Sequence, residues 1–256
     1  MSQTSLDDDQ WLRRYRPARN ATARLVCLPH AGGSAAYFLP VAAALSPGAD
    51  VVAIQYPGRQ DRRAEQPIGD MAVLADRIHA IVRRQPEMPL ILFGHSMGAV
   101  IGFEVTRRLE ADGHGPMRLI VSGRRGPATY RNETVHLRDD DGIIAEVRKM
   151  SGTASSVLGD DEIMRAALPA LRADYKATET YTCPPEVTVN CPITALTGDN
   201  DPKTNLDEAK AWARHTTGAF DLHVYAGGHF FLTDHAGEIL KLIGQHLRAE
   251  PAPTTI

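Results

Sequence analysis

Apolar positions along the chain fall into short, nearly uninterrupted runs: ARLVCL (23–28), DVVAIQ (50–55), PLILFG (89–94), MRLIVSG (117–123), PITALTG (192–198) and FDLHVYAG (220–227). Gly and Pro punctuate them. Near-continuous apolarity in the middle runs predicts strands buried on both faces, as in a parallel sheet covered by helices. Between the second and third runs, MAVLADRIHAIVRRQ (71–85) carries apolar residues at helical spacing and predicts a helix laid on one face of that sheet. Strand and helix therefore alternate, and the predicted class is α/β with a mostly parallel, doubly wound sheet.

The rhythm breaks between residues 124 and 190. No strong strand run occurs there, and DDDGIIAEVRKMSG (139–152) and DDEIMRAALPALRADYKATETY (160–181) read as helices separated by TASSV (153–157). Asp139, Asp140 and Asp141 precede the first helix, where the positive end of the helix dipole favours acid, so they read as a solvated cap. The expected organisation is a core of residues 1–123 and 191–256 interrupted by a helical lid insertion at 124–190, with the small residues of SGTASSV as a hinge. The polar start MSQTSLDDD and the Pro-containing end RAEPAPTTI are expected to fray.

Composition narrows the function. The 256 residues suit one α/β domain with an insertion. With 28 Lys and Arg against 31 Asp and Glu, the net charge is −3, so no global basic field draws the chain to nucleic acid or an anionic membrane. The N-terminus has no apolar signal core, and no apolar run approaches the roughly 20 residues that span a bilayer. A cytoplasmic protein is expected, without a nucleic-acid or membrane partner. Cys27, Cys183 and Cys191 are odd in number and show no C-x-x-C spacing, which points away from a disulfide framework and from a zinc site.

The chemistry concentrates in a few short segments. Gly94-His95-Ser96-Met97-Gly98 follows an apolar strand and opens the helical stretch AVIGFEVTRRLEADG (99–113), the context of the Gly-x-Ser-x-Gly nucleophile elbow of α/β-hydrolases. Glycines two before and two after the serine remove side chains that would collide where strand and helix close on each other. A serine hydroxyl needs a base and the base an orienting acid, and in this fold they follow in the order Ser, Asp or Glu, His. Downstream, TALTGDNDP places Asp199 and Asp201 in the loop after one strand, and VYAGGHFFL places His229 after the last. Asp201 is the favoured acid because three residues past Gly198 the loop has room to turn toward the histidine, whereas Asp199 is expected to serve the loop. His95 neighbours the serine but faces away, and is expected to pack or hydrogen-bond. His30 begins HAGGSAAYF after the first strand run, where the fold supplies one oxyanion amide; the expected donors are the Ala31 and Met97 N–H groups.

Taken in order, CLPHAGGSAAYF, YPGRQDR, FGHSMGA, LTGDNDP and GGHFFL resemble the type II (external) thioesterases that accompany polyketide synthases and nonribosomal peptide synthetases. LPALRADYKATETY resembles that family's lid. The resemblance spans almost the whole chain. It implies the α/β-hydrolase fold, a Ser96, Asp201, His229 triad, and a monomer that removes acyl groups from the phosphopantetheine arm of acyl or peptidyl carrier proteins, editing stalled or aberrant units. No metal or resident cofactor is expected, since the phosphopantetheine arrives with the substrate.

The same elbow and triad also serve carboxylesterases, acyltransferases and cyclases. For the substrate, Phe230, Phe231 and Met97 are candidate acyl contacts, set against a plain core role for the two phenylalanines. Arg59, with Arg62 and Arg63 in the basic loop YPGRQDRRAEQP (56–67), is a candidate for an acidic carrier or the arm's phosphate, set against a solvated loop.

Overall fold

A computed structural model describes residues 9–151 and 161–248; TASSV and both terminal stretches lie outside the described residues. Seven strands form one sheet: β1 (Leu12–Arg13), β2 (Arg24–Leu28), β3 (Asp50–Ile54), β4 (Leu90–His95), β5 (Arg118–Ser122), β6 (Ile193–Gly198) and β7 (Phe220–Tyr225), in the order β1-β3-β2-β4-β5-β6-β7. The last six coincide with the six apolar runs. All are parallel except β1, which pairs antiparallel with β3 through Leu12 opposite Ile54. β1 carries no signal in the sequence, because two residues in the basic stretch WLRRYR show no period.

Strand residues alternate between two separate cores. Val26, Leu28, Val52, Leu92 and Val121 join a cluster with α2 (Met71–Arg83) and α3 (Met97–Ala111) on one face, whereas Leu25, Cys27, Val51, Phe93 and Ile120 join α1 (Leu39–Leu45) and α7 (Ala236–Arg248) on the other. The sheet is thus apolar on both sides, and at about 25 cal/mol per Å² this burial is the main force holding its register. Beyond β5 lie α4 (Asp140–Ser151) and α5 (Asp161–Glu179). Together with the turn at Val135, they bury Ile143, Ile144, Met164, Leu168 and Leu171 in a third, smaller cluster of their own. Asp139 caps α4 by accepting from the Gly142 amide at 2.9 Å. A short helix, α6 (Leu206–Lys210), follows β6 and is closed by an Asn205–Glu208 capping box.

Candidate active site

Four loops meet at the carboxyl ends of the strands, the edge where open α/β sheets place their ligands. Ser96 sits between β4 and α3 with φ 56° and ψ −114°, a backbone conformation an L-residue adopts only when its surroundings enforce it. The enforcement is steric. A Cβ on Gly98 would lie 2.0 Å from the Leu28 carbonyl oxygen, and one on Gly94 would lie 2.1 Å from the Gly98 oxygen. Strand β2, strand β4 and helix α3 therefore close to backbone contact, and the Ser96 amide is tied to the Ser122 carbonyl at 2.7 Å. Met97 is the first residue of α3, so its amide has no partner within the helix.

The acid and the base come together as the sequence predicts. His229 Nδ1 lies 3.0 and 2.9 Å from the two carboxylate oxygens of Asp201, with the Asp201 side chain fully shielded from solvent. This fixes Nδ1 as the protonated nitrogen and leaves Nε2 free to accept a proton. Asp201 is itself held by the Lys203 amide at 2.8 Å. Asp199 does serve the loop, accepting from the Gly227 amide at 2.9 Å and so tying the acid's loop to the histidine's. Those loops touch so closely that a Cβ on Gly198 would meet the Gly227 oxygen at 2.4 Å. Ser96 and His229 line one cavity, although no hydrogen bond joins Ser96 Oγ to the ring among the described residues. Bonds of this kind tighten when a substrate carbonyl engages the hydroxyl.

Two further imidazoles surround His229. The His95 ring centroid is 5.0 Å from that of His229, and His30 packs edge-on to Phe230 at 5.0 Å. His95 Nδ1 pairs with Ser122 Oγ at 3.1 Å, as expected of a packing residue. Burial, with lesser repulsion from His229, holds His95 well below the usual histidine range and lowers His30 to about 3. Both are neutral near pH 7, so neither places a like charge beside an imidazolium at His229.

The loop after β2 is held from above. The Asp174 Oδ2 on α5 accepts the Gly32 amide at 2.8 Å, and Arg59 grips both oxygens of Asp174 at 2.8 and 2.9 Å while donating to the Gly33 carbonyl at 3.2 Å. Gly32 has φ +74°, and a Cβ there would lie 2.5 Å from Leu171 of the same helix. Helix α5 thus rests directly on the turn that carries the Ala31 amide, which donates to no partner among the described residues. Asp174 gives no sign of this in sequence: it looks like one more polar position of an amphipathic helix, and its partner is 115 residues away.

The cavity has a volume of about 1030 Å³ and is closed on one side by Val147 and Met150 of α4 and by Met164, Ala167 and Leu171 of α5. Three substrate candidates need correction. Arg59 borders the cavity, but both arms of its guanidinium are bound to Asp174, leaving it no free fork for a phosphate or an acidic partner. The solvated-loop alternative fails for it too, since Arg59 and Arg62 are buried and only Arg63 is exposed. Met97 is completely buried in the core beneath the elbow, so its side chain is not an acyl contact. Phe231 borders the cavity but is almost wholly buried in the core shared with α7, whereas Phe230, half-buried, faces the cavity between His30 and His229. Among the described residues, no cluster of three or more His, Cys, Asp or Glu is placed to hold a metal ion, and no helix is long and apolar enough to cross a membrane.

The chain is similar to known proteins along almost its whole length. Residues 23–247 match the family model of the thioesterase domain. The chain is 55% identical over 254 residues to a probable cadicidin biosynthesis thioesterase of Streptomyces griseus, covering 97% of this chain and 70% of that protein. It is 48% identical to thioesterase PikA5 of Streptomyces venezuelae, covering 95% and 87%. Among solved structures, the type II thioesterase BorB from the borrelidin biosynthetic cluster superposes with a TM-score of 0.90 at 51% identity, over 94% of this chain and 98% of that one.

Proposed function

This chain belongs to the thioesterase family as a type II thioesterase, a thioester hydrolase on the α/β-hydrolase fold, and from that premise we propose that it clears acyl groups from the phosphopantetheine arms of carrier proteins through Ser96, His229 and Asp201. The observation that carries the reading is the His229–Asp201 pair, buried and bonded through Nδ1, opening onto the same cavity as a serine held in a strained turn.

Ser96 Oγ attacks the thioester carbonyl carbon and His229 Nε2 takes the hydroxyl proton, while Asp201 keeps the ring oriented and stabilises its positive charge. The carbonyl oxygen becomes an oxyanion received by the Ala31 and Met97 amides, the latter at the positive end of α3. Collapse expels the thiol, which leaves with the proton from His229. Water then gives a proton to Nε2 and attacks the acyl-serine, and as the ester bond breaks Nε2 passes that proton to Ser96 Oγ, releasing the acid and restoring the serine and the neutral base. No metal or resident cofactor enters these steps, and phosphopantetheine comes with the substrate.

An editing role fits the shape of the cavity. Methionine and small aliphatic side chains make a pliable wall, so discrimination between acyl groups stays within about 1–3 kcal/mol per methylene. A carrier that docks at the surface delivers its arm at high effective concentration. Folded Ser96→Ala protein is expected to lose hydrolysis of a carrier-bound acyl thioester by about 10³-fold or more. Near-normal turnover in that variant removes Ser96 from the mechanism. Equal kcat/KM for the same acyl group on a carrier and on coenzyme A removes the carrier.

A further inference from the structure

Among the described residues, four cations on the side of the cavity between β5 and the α4–α5 pair are matched to carboxylates, and Arg124 is not. Arg125 pairs with Glu133 at 2.7 Å, Lys203 with Glu133 at 2.8 Å and Glu146 at 2.5 Å, Arg138 with Glu146 at 3.1 Å, and Arg131 with Glu208. The Arg124 side chain makes a single hydrogen bond, from Nη2 to the Thr178 carbonyl at 3.4 Å, and no ion pair among the described residues. Its side chain borders both the reaction cavity and a second cavity of about 130 Å³ behind it. Arg124 is partly exposed to these spaces; burial of the rest of it and the neighbouring Arg125 lower its pKa to about 9, which still leaves it charged near pH 7. A guanidinium partly withdrawn from water with no carboxylate bonded to it gains from a matching anion.

Its position selects the anion. Arg124 follows Ser122 by two residues, and the Ser122 carbonyl holds the Ser96 amide at 2.7 Å. Arg124 and Ser96 border the same cavity, so a group it meets there belongs to the acyl end of the substrate, whereas the phosphodiester of a phosphopantetheine arm lies at the far end of that arm. We propose that Arg124 forms an anion subsite in the acyl cavity, taking the free carboxylate of a short dicarboxylic acyl thioester. This rests on Ser96 being the nucleophile of that cavity. The guanidinium fork binds both carboxylate oxygens, so an acyl group ending in a carboxylate gains what an apolar one of the same shape does not.

The test compares malonyl and isovaleryl thioesters of N-acetylcysteamine, which carry a carboxylate and an isopropyl group at the same place and contain no phosphate. In Arg124→Gln the malonyl-to-isovaleryl ratio of kcat/KM is expected to fall by about 10-fold or more, with Arg124→Lys retaining part of it. Because the ratio is taken on one sample, loss of folded protein does not move it. An unchanged ratio overturns the subsite. So does an equal loss for both acyl groups confined to their phosphopantetheine thioesters, which assigns the anion to the arm's phosphate. Ser96→Ala assayed beside them tests the nucleophile separately, since hydrolysis of both substrates surviving there removes Ser96 and not Arg124.

Discussion

Two aspartates two positions apart divide the work of one loop. Asp201 gives both oxygens to His229, whereas Asp199 gives one to the Gly227 amide. An amide at 201 can present its NH₂ to the ring and hold the wrong tautomer, so Asp201→Asn is expected to lower kcat by roughly 10⁴-fold. Asp199→Asn keeps a carbonyl for Gly227 and is expected to stay within about 10-fold of wild type. Steady-state kinetics on both variants checks the ranking, and the reverse order reassigns the acid. His30 makes a different prediction. Its folded value of about 3 lies below the ordinary 6.5, so the unfolded chain binds its proton first as pH falls. The stability it contributes is complete above about pH 6.5 and is lost toward pH 3, at roughly 1.4 kcal/mol per pH unit. Glu133, which Lys203 and Arg125 hold near 2 against the upward pull of burial, adds acid sensitivity only below the usual carboxylate range of about 4.3. Thermal unfolding at about pH 7 and about pH 5 is therefore expected to show a smaller loss for His30→Gln than for wild type. The order of Ser96, Asp201 and His229 was readable because motif and chain order constrain each other. Asp174 and Arg124 were not, because their significance lies in which distant residues do or do not meet them.

Among the elements, α5 has the most to do per residue: it supplies part of the cavity wall, part of the third apolar cluster and the carboxylate that holds the β2 loop. Removing Asp174 leaves Arg59 buried without its partner and the Gly32 amide without an acceptor. Asp174→Ala is expected to cost about 3–5 kcal/mol of stability and to lower kcat by roughly 10-fold or more, because the Ala31 amide loses its setting. The double variant Arg59→Met, Asp174→Leu separates the two effects: most of the stability returns and the kcat defect stays. Full recovery of kcat in that variant confines Asp174 to a structural role. Strands β2 to β7 were legible to within two residues, the five central ones because burial on both faces leaves unbroken apolar runs. The edge strand β1 was not, since Leu12 and Arg13 owe their pairing to β3 rather than to any period of their own. The helical character of residues 140–151 and 161–179 was readable from spacing, but the place where they rest was not.

Across the whole molecule, one edge of a two-faced sheet gathers segments scattered through the chain: the turn at Ala31, the elbow at Ser96, the acid loop at Asp201 and the histidine loop at His229. Each is anchored to backbone closed so tightly that glycine is required, at Gly94, Gly98 and Gly198. Gly32 differs, since the atom nearest its missing Cβ belongs to Leu171 of α5 rather than to the sheet. A bulky acyl-loaded arm enters most easily with that helix raised, yet the Gly32 turn has its carboxylate only with the helix down. Were loading and chemistry to belong to different positions of that one element, every turnover would include its passage through solvent. That passage is subject to friction. In glycerol or sucrose, kcat for a rapidly hydrolysed acyl carrier is expected to fall in proportion to relative viscosity, while for a sluggish substrate, limited by bond breaking, it is expected to hold constant. Stopped-flow turnover across a viscosity series measures both, and a kcat indifferent to viscosity for the fast substrate places the slow step in the covalent chemistry instead.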